Sequence, residues 1–205
     1  MKISVNPGSL RAKILIFSLA MMVLITGSGL LFAGQVKADA AEEAGEEDKE
    51  QVQVSEINFI EHQAENFIVH YPEDWQLDTQ KDDTGEVVVF SKDMSGYPNI
   101  NVLQQENVAM TVEEYLELSL EQMEEFEGFE LKETKDIELA ETEARQIEFT
   151  HDEIHQTLRQ RQIMTVHEEK AYVLTYTDFA GNFSEHLPLY TYLVENKFRI
   201  RENAD

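Results

Sequence analysis

From Ile57 onward the chain is written in short runs in which apolar and polar residues alternate, broken by turn residues. A period of two marks strands with one wetted and one buried face, so this part of the chain is committed to sheet. Phe67, Val69 and Tyr71 share one parity and stop at Pro72-Glu73-Asp74-Trp75, where proline ends ladder donation and the indole caps the core edge. Lys81-Asp82-Asp83-Thr84-Gly85 reads as a turn, followed by Glu86 to Phe90, apolar on both faces and therefore central. After a loop from Lys92 to Pro98, Ile100 and Val102 face one way. The expectation is that these three segments pair in one sheet. Phe129 to Leu139, Thr142 to Thr150, Thr157 to Val166 and Ala171 to Asp178 read as four more strands. The last two form a hairpin across His167-Glu168-Glu169-Lys170.

Two helices interrupt the strands. Thr111-Val112-Glu113-Glu114 is a capping box, and Val112, Tyr115, Leu116, Leu120, Met123 and Phe126 recur at three- and four-residue steps. Leu118 breaks this stripe, glutamates cover the other faces, and Gly128 stands where a left-handed stop is wanted. Ser184 opens a second helix carrying Leu189, Tyr190, Leu193, Val194 and Phe198, with Pro188 near its first turn. The fold class expected is α+β, an antiparallel β-sheet flanked by helices in an α/β/α sandwich, as one domain over residues 56–201.

Ahead of that domain, Ile14 to Ala33 holds no charge and follows Lys2, Arg11 and Lys13. Twenty apolar residues at about 1.5 Å each would just cross a bilayer core of about 30 Å. Thr26-Gly27-Ser28-Gly29 divides the run, leaving a twelve-residue stretch from Ile14 to Ile25 that suits a signal peptide. Small residues at Val36-Lys37-Ala38 and Ala38-Asp39-Ala40 offer cleavage sites. Residues 1–40 are thus expected to be a signal peptide or membrane anchor, and the rest to work outside the cytoplasm, secreted or anchored by that segment. Residues 41–55, acidic and poor in apolar side chains, read as a disordered linker.

Charge narrows the function. Residues 41–205 hold 12 basic against 40 acidic side chains, a net of −28, which repels phosphate backbones and argues against nucleic-acid binding. The chain has no cysteine, and so no thiol nucleophile, thiolate metal site or lipid-carrying cysteine. The string His151-Asp152-Glu153-Ile154-His155 places two histidines four apart, a spacing that shares a face on a helix and can grip a divalent metal. Between strand-like segments the same residues would be about 13 Å apart, which favours a polar turn. His62, His70, His167 and His186 are scattered. Asp93-Met94-Ser95-Gly96-Tyr97 lacks the leading glycine of a nucleophile elbow, and neither a P-loop nor a Gly-x-Gly-x-x-Gly occurs. Arg145, Arg159 and Arg161 cluster along the strands; by parity Arg159 and Arg161 share a face with Ile163 and border an anion-accepting patch unless neighbouring acids pair them.

The order of these segments resembles the PsbP-like family, whose relatives include the extrinsic photosystem II subunit, Ran-binding nuclear proteins and bacterial envelope proteins. The resemblance is carried by Phe67-Ile68-Val69-His70-Tyr71-Pro72-Glu73-Asp74-Trp75, the Val87–Phe90 strand, Thr111-Val112-Glu113-Glu114-Tyr115-Leu116, and Tyr172-Val173-Leu174-Thr175-Tyr176 before a closing helix. It spans residues 57–201 and implies an antiparallel sheet between helices; the family brings no shared catalytic set. The expectation is an exported, non-enzymatic binding or accessory module of the cell envelope with a protein partner. No catalytic residue, metal ligand or cofactor is assigned. The alternative is a divalent-metal-binding or metal-dependent domain using the His151–His155 segment.

Overall fold

The computed structural model describes residues 51–153 and 156–201. The signal or anchor segment 1–40 and linker residues 41–50 lie outside the described residues, as do Ile154 and His155. Strands β3 (Gln76–Asp82), β4 (Gly85–Ser91), β5 (Asn99–Gln105), β6 (Glu130–Leu139), β7 (Thr142–Glu153), β8 (Gln156–His167) and β9 (Lys170–Phe179) make one antiparallel sheet in the order β3-β4-β5-β9-β8-β7-β6. A smaller sheet holds β1 (Phe59–Gln63), β2 (Phe67–Pro72) and β10 (Arg199–Ile200), with β2 in the middle. The helices are α1 (Val112–Met123) and α2 (Phe183–Lys197).

The strand parities place the helices on opposite faces. Val88, Phe90, Ile100, Val102, Ile163, Leu174 and Tyr176 are buried on one face together with Leu189, Tyr190 and Leu193 of α2. Tyr190 stacks on Tyr176 and donates from its hydroxyl to Leu174 O at 2.9 Å. On the other face α1 lies over β7 and β8 and buries Val112, Tyr115, Leu116 and Met123. Its capping box is formed as expected: Glu114 N donates to the Thr111 hydroxyl at 3.2 Å, and Thr111 N donates to the Glu114 carboxylate at 2.8 Å. Leu118 is half-buried on the flank of the stripe. Gly128 is left-handed, with φ of 67°, but it stands five residues past the helix end.

Because α1 packs mainly on β7 and β8, the molecule is richer in sheet than a closed α/β/α sandwich, and mostly antiparallel sheet with two helices describes it better. The first three expected segments also do not share one sheet. β4 and β5 pair as read, but β2 pairs with β1 and β10, because Phe67 and Val69 bury against the core end, where Phe67 meets the Phe198 ring. Parity reports which side chains are buried, not which strand lies alongside.

The expected turn over 81–85 is narrower. Gln76–Asp82 is a strand exposed throughout, held by its ladder to β4, and the reversal is Asp83-Thr84 with the Asp82 carboxylate accepting from Thr84 N at 2.6 Å. Gly85 follows at φ 155°, where an added Cβ would lie 1.9 Å from Gln104 O. The β8–β9 hairpin turns on Glu168 and Glu169, both with positive φ, as Ala140 and Glu141 do between β6 and β7.

The spacer reading fails at its C-terminal end. Val52 N donates to Glu185 O at 3.0 Å, Val54–Glu56 forms a 3-10 turn, and Val54 packs on the core, so residues 51–55 dock on the fold. Among the described residues no helix is long and apolar enough to cross a membrane.

Candidate functional site

The α2 side of the sheet gathers charge where β7, β8 and β9 pass the first turn of α2. Antiparallel register sets Glu148 opposite Arg161, and Arg159 between Thr150 and Asp178. The Glu148 side chain is 5% exposed, and each of its oxygens takes one arginine. Arg159 donates from Nε at 2.8 Å and from Nη2 to Oε1; Arg161 donates from Nε at 2.9 Å and Nη2 at 2.6 Å to Oε2. Burial pushes the Glu148 carboxyl up, but the hydrogen bonds and charges of Arg161 and Arg159 outweigh it and hold it below the usual carboxylate range. The Arg159 guanidinium also lies 4.7 Å from the centre of the Phe183 ring. Arg159 and Arg161 therefore share a face as read, paired with an acid. Arg145 sits on the opposite face, bonded to Glu113 and Glu143 at 2.8 Å each and 3.2 Å from Asp136.

Next to this triad, Asp178 is buried, accepting from Phe179 N at 2.8 Å and lying 3.2 Å from the Tyr176 hydroxyl. Burial, with the Asp178 charge, pushes the Tyr176 phenol up. His186, also buried, reaches Asp178 Oδ2 at 3.7 Å from Nδ1 and lies 3.0 Å from Lys92 Nζ through Nε2. His186 Nε2 thus faces the Lys92 ammonium, and Nδ1 faces the Asp178 carboxylate beyond hydrogen-bond distance. Glu185 Oε1 stands 3.6 Å from Nε2, and the Trp75 ring meets the imidazole edge-on. Sequence reading missed this pairing, since residues 178 and 186 meet only because the chain reverses between β9 and α2.

The string singled out for metal binding ends a strand. His151, Asp152 and Glu153 close β7, paired in register with β8. His151 is 2% exposed, between the Phe126 and Phe149 rings, and lies 3.0 Å from Gln160 Nε2 through its own Nε2. Burial holds its pKa below the ordinary value. Asp152 accepts from the Thr157 hydroxyl at 2.7 Å, and Glu153 accepts from the Tyr97 hydroxyl at 3.1 Å. Consecutive members of the string thus point to different partners, and His155 lies outside the described residues. Among the described residues no group of three or more His, Asp or Glu could hold a metal ion. The Ser95 hydroxyl, in the segment compared with a nucleophile elbow, closes a local turn on Tyr97 O at 3.0 Å.

The solution structure of cyanobacterial PsbP (CyanoP) from Synechocystis sp. PCC 6803 is similar at a TM-score of 0.50 and 13% identity, covering 70% of this chain and 92% of that one. That likeness shows the fold. LpqN, involved in cell envelope biogenesis of Mycobacterium tuberculosis, aligns at a TM-score of 0.47 and 12% identity, over 72% of this chain and 92% of its own. A Pseudomonas aeruginosa protein of unknown function, PA94, aligns at 0.46 and 14% identity, over 67% of this chain and 94% of that one. No curated protein matches. The DcrB family model matches residues 69–188, from the second strand of the small sheet to the first turns of α2. Since that match takes in more than half of its length, the chain belongs to the DcrB family.

Proposed function

We propose that the protein is an exported, non-enzymatic accessory module of the cell envelope that works by binding a protein partner. One observation carries the reading: the buried carboxylates beside α2, and one nitrogen of His186, are taken up by structural partners. Glu148 is held by two arginines, Asp178 by a backbone amide and a tyrosine, and His186 by a lysine. A general base or nucleophile needs a free lone pair aimed at a substrate. The uncharged run from Ile14 to Ala33, with its basic flank, supports export, and the strongly acidic domain favours a basic partner surface.

Fractionation of native cells with protease protection tests this reading. The domain should be digested from outside the cytoplasmic membrane and should co-purify with a defined envelope protein. Recovery in the cytoplasm, or robust hydrolase turnover by the purified chain, would overturn it.

A further inference from the structure

We infer that the outer face of α2 is the surface that receives the protein partner, and that it takes an apolar segment of that partner carrying a lysine or arginine. The inference deepens the binding reading above and rests on it. Phe183, His186, Leu189, Tyr190, Leu193 and Val194 of α2 are buried, whereas Ser184, Leu187, Pro188, Thr191, Tyr192 and Glu195 recur at steps of three and one along its other side. With Gln51 and Val54 of the docked segment, that second stripe lines an open groove of about 470 Å³. Binding clefts usually hold about 300–1,000 Å³. Val54 packs there and Val52 N donates to Glu185 O at 3.0 Å, so this helix face already holds one length of chain along its edge.

Charge and hydrogen bonding select the occupant. Pro188 has no amide hydrogen, so the Ser184 carbonyl four residues back loses its helical donor. The Thr191 hydroxyl spends its proton on Leu187 O at 3.0 Å. Glu195 is exposed and takes no ion pair among the described residues, and no basic side chain among them lines the groove. The groove thus sets acceptors and one negative charge around apolar walls at Leu187, Pro188, Tyr192 and Val54, which suits the carbon stem and cationic head of lysine or arginine. The Tyr192 ring already carries one such head, with Lys197 Nζ 5.9 Å from its centre. An anionic lipid surface would meet the net −28 of residues 41–205 and be repelled, and a second copy would bring the same unpaired carboxylate.

The test titrates the full chain with a short synthetic peptide of alternating leucine and lysine at about 0.15 M salt, following methyl signals by NMR. The Leu187 and Val54 methyls should shift saturably while those of Leu131, an exposed leucine on β6, do not. Peptides with glutamate in place of lysine, or serine in place of leucine, should bind at least about five-fold more weakly. Glu195→Gln should weaken the leucine–lysine peptide about five-fold, and Thr191→Arg, which fills the groove and adds like charge, should abolish the shifts. Glu117→Gln, on the exposed side of α1, should leave binding unchanged. If Thr191→Arg melts early, Glu195→Gln at its exposed position still decides. No saturable shift at Leu187 and Val54, equal binding of the glutamate or serine peptide, or loss of binding in Glu117→Gln would overturn the inference. So would a concentration-dependent dimer that Thr191→Arg dissolves, since the occupant would then be a second copy. Any of these would leave the envelope-accessory reading standing, since fractionation tests that separately.

Discussion

Glu148 and His151 sit three residues apart on one strand and point to opposite faces of the sheet, where burial acts on each in a different way. Glu148 keeps its charge because two arginines meet it, so truncation leaves them facing each other without a counter-ion. Glu148→Ala should cost about 2–3 kcal/mol in urea denaturation, less than the 3–5 kcal/mol typical of a fully buried pair, because Arg159 is a third exposed. His151 gives up its charge instead. Its folded pKa lies below the ordinary 6.5, so as pH falls through about 6.5 the unfolded chain takes up a proton that the folded chain refuses, and stability falls. Glu148, with a depressed folded pKa, contributes stability above the ordinary 4.5 and loses it only as pH drops through its lower folded value. His151→Gln should therefore flatten the stability curve between about pH 7 and pH 5 while leaving the steeper acid loss, as chemical denaturation at several pH values would show. An unchanged slope in that window would contradict the burial assigned to His151.

At the scale of elements, the hairpin turns carry the clearest strain. Glu168 and Glu169 both take left-handed backbone, which costs L-residues about 1–2 kcal/mol each and suits Asn-Gly. The double substitution Glu168→Asn, Glu169→Gly should raise stability by about 1 kcal/mol, read as a higher denaturation midpoint with unchanged slope. Gly85→Ala should do the reverse, costing at least about 2 kcal/mol, because its Cβ would fall on the Gln104 carbonyl. The same elements show what the sequence made legible. α1 was readable because its cap, its stripe and its wet face all agree, and β9 because it is apolar enough to be buried along nearly its whole length. β3 was not, since Gln76–Asp82 is exposed throughout and only its ladder to β4 makes it a strand. The placement of β2 in a second sheet, and the meeting of Asp178 with His186, depend on contacts between distant segments that periodicity does not encode. The shared face of Arg159 and Arg161 was readable from alternation, whereas Glu148 as their common partner needed the register of β7 against β8.

For the molecule as a whole, a net charge of −28 over residues 41–205 sets a standing self-repulsion. Screening should relieve it, so the melting temperature of the purified protein should climb as salt rises toward molar concentrations; a flat response would mean that local ion pairs already absorb the repulsion. The acidic shell and the inward-turned polar network both favour work by contact with another molecule. Crosslinking mass spectrometry on intact native cells tests that claim most directly. The account predicts a small, reproducible set of crosslinks from this domain to envelope proteins on the outer side of the cytoplasmic membrane. Crosslinks confined to cytoplasmic neighbours would contradict it.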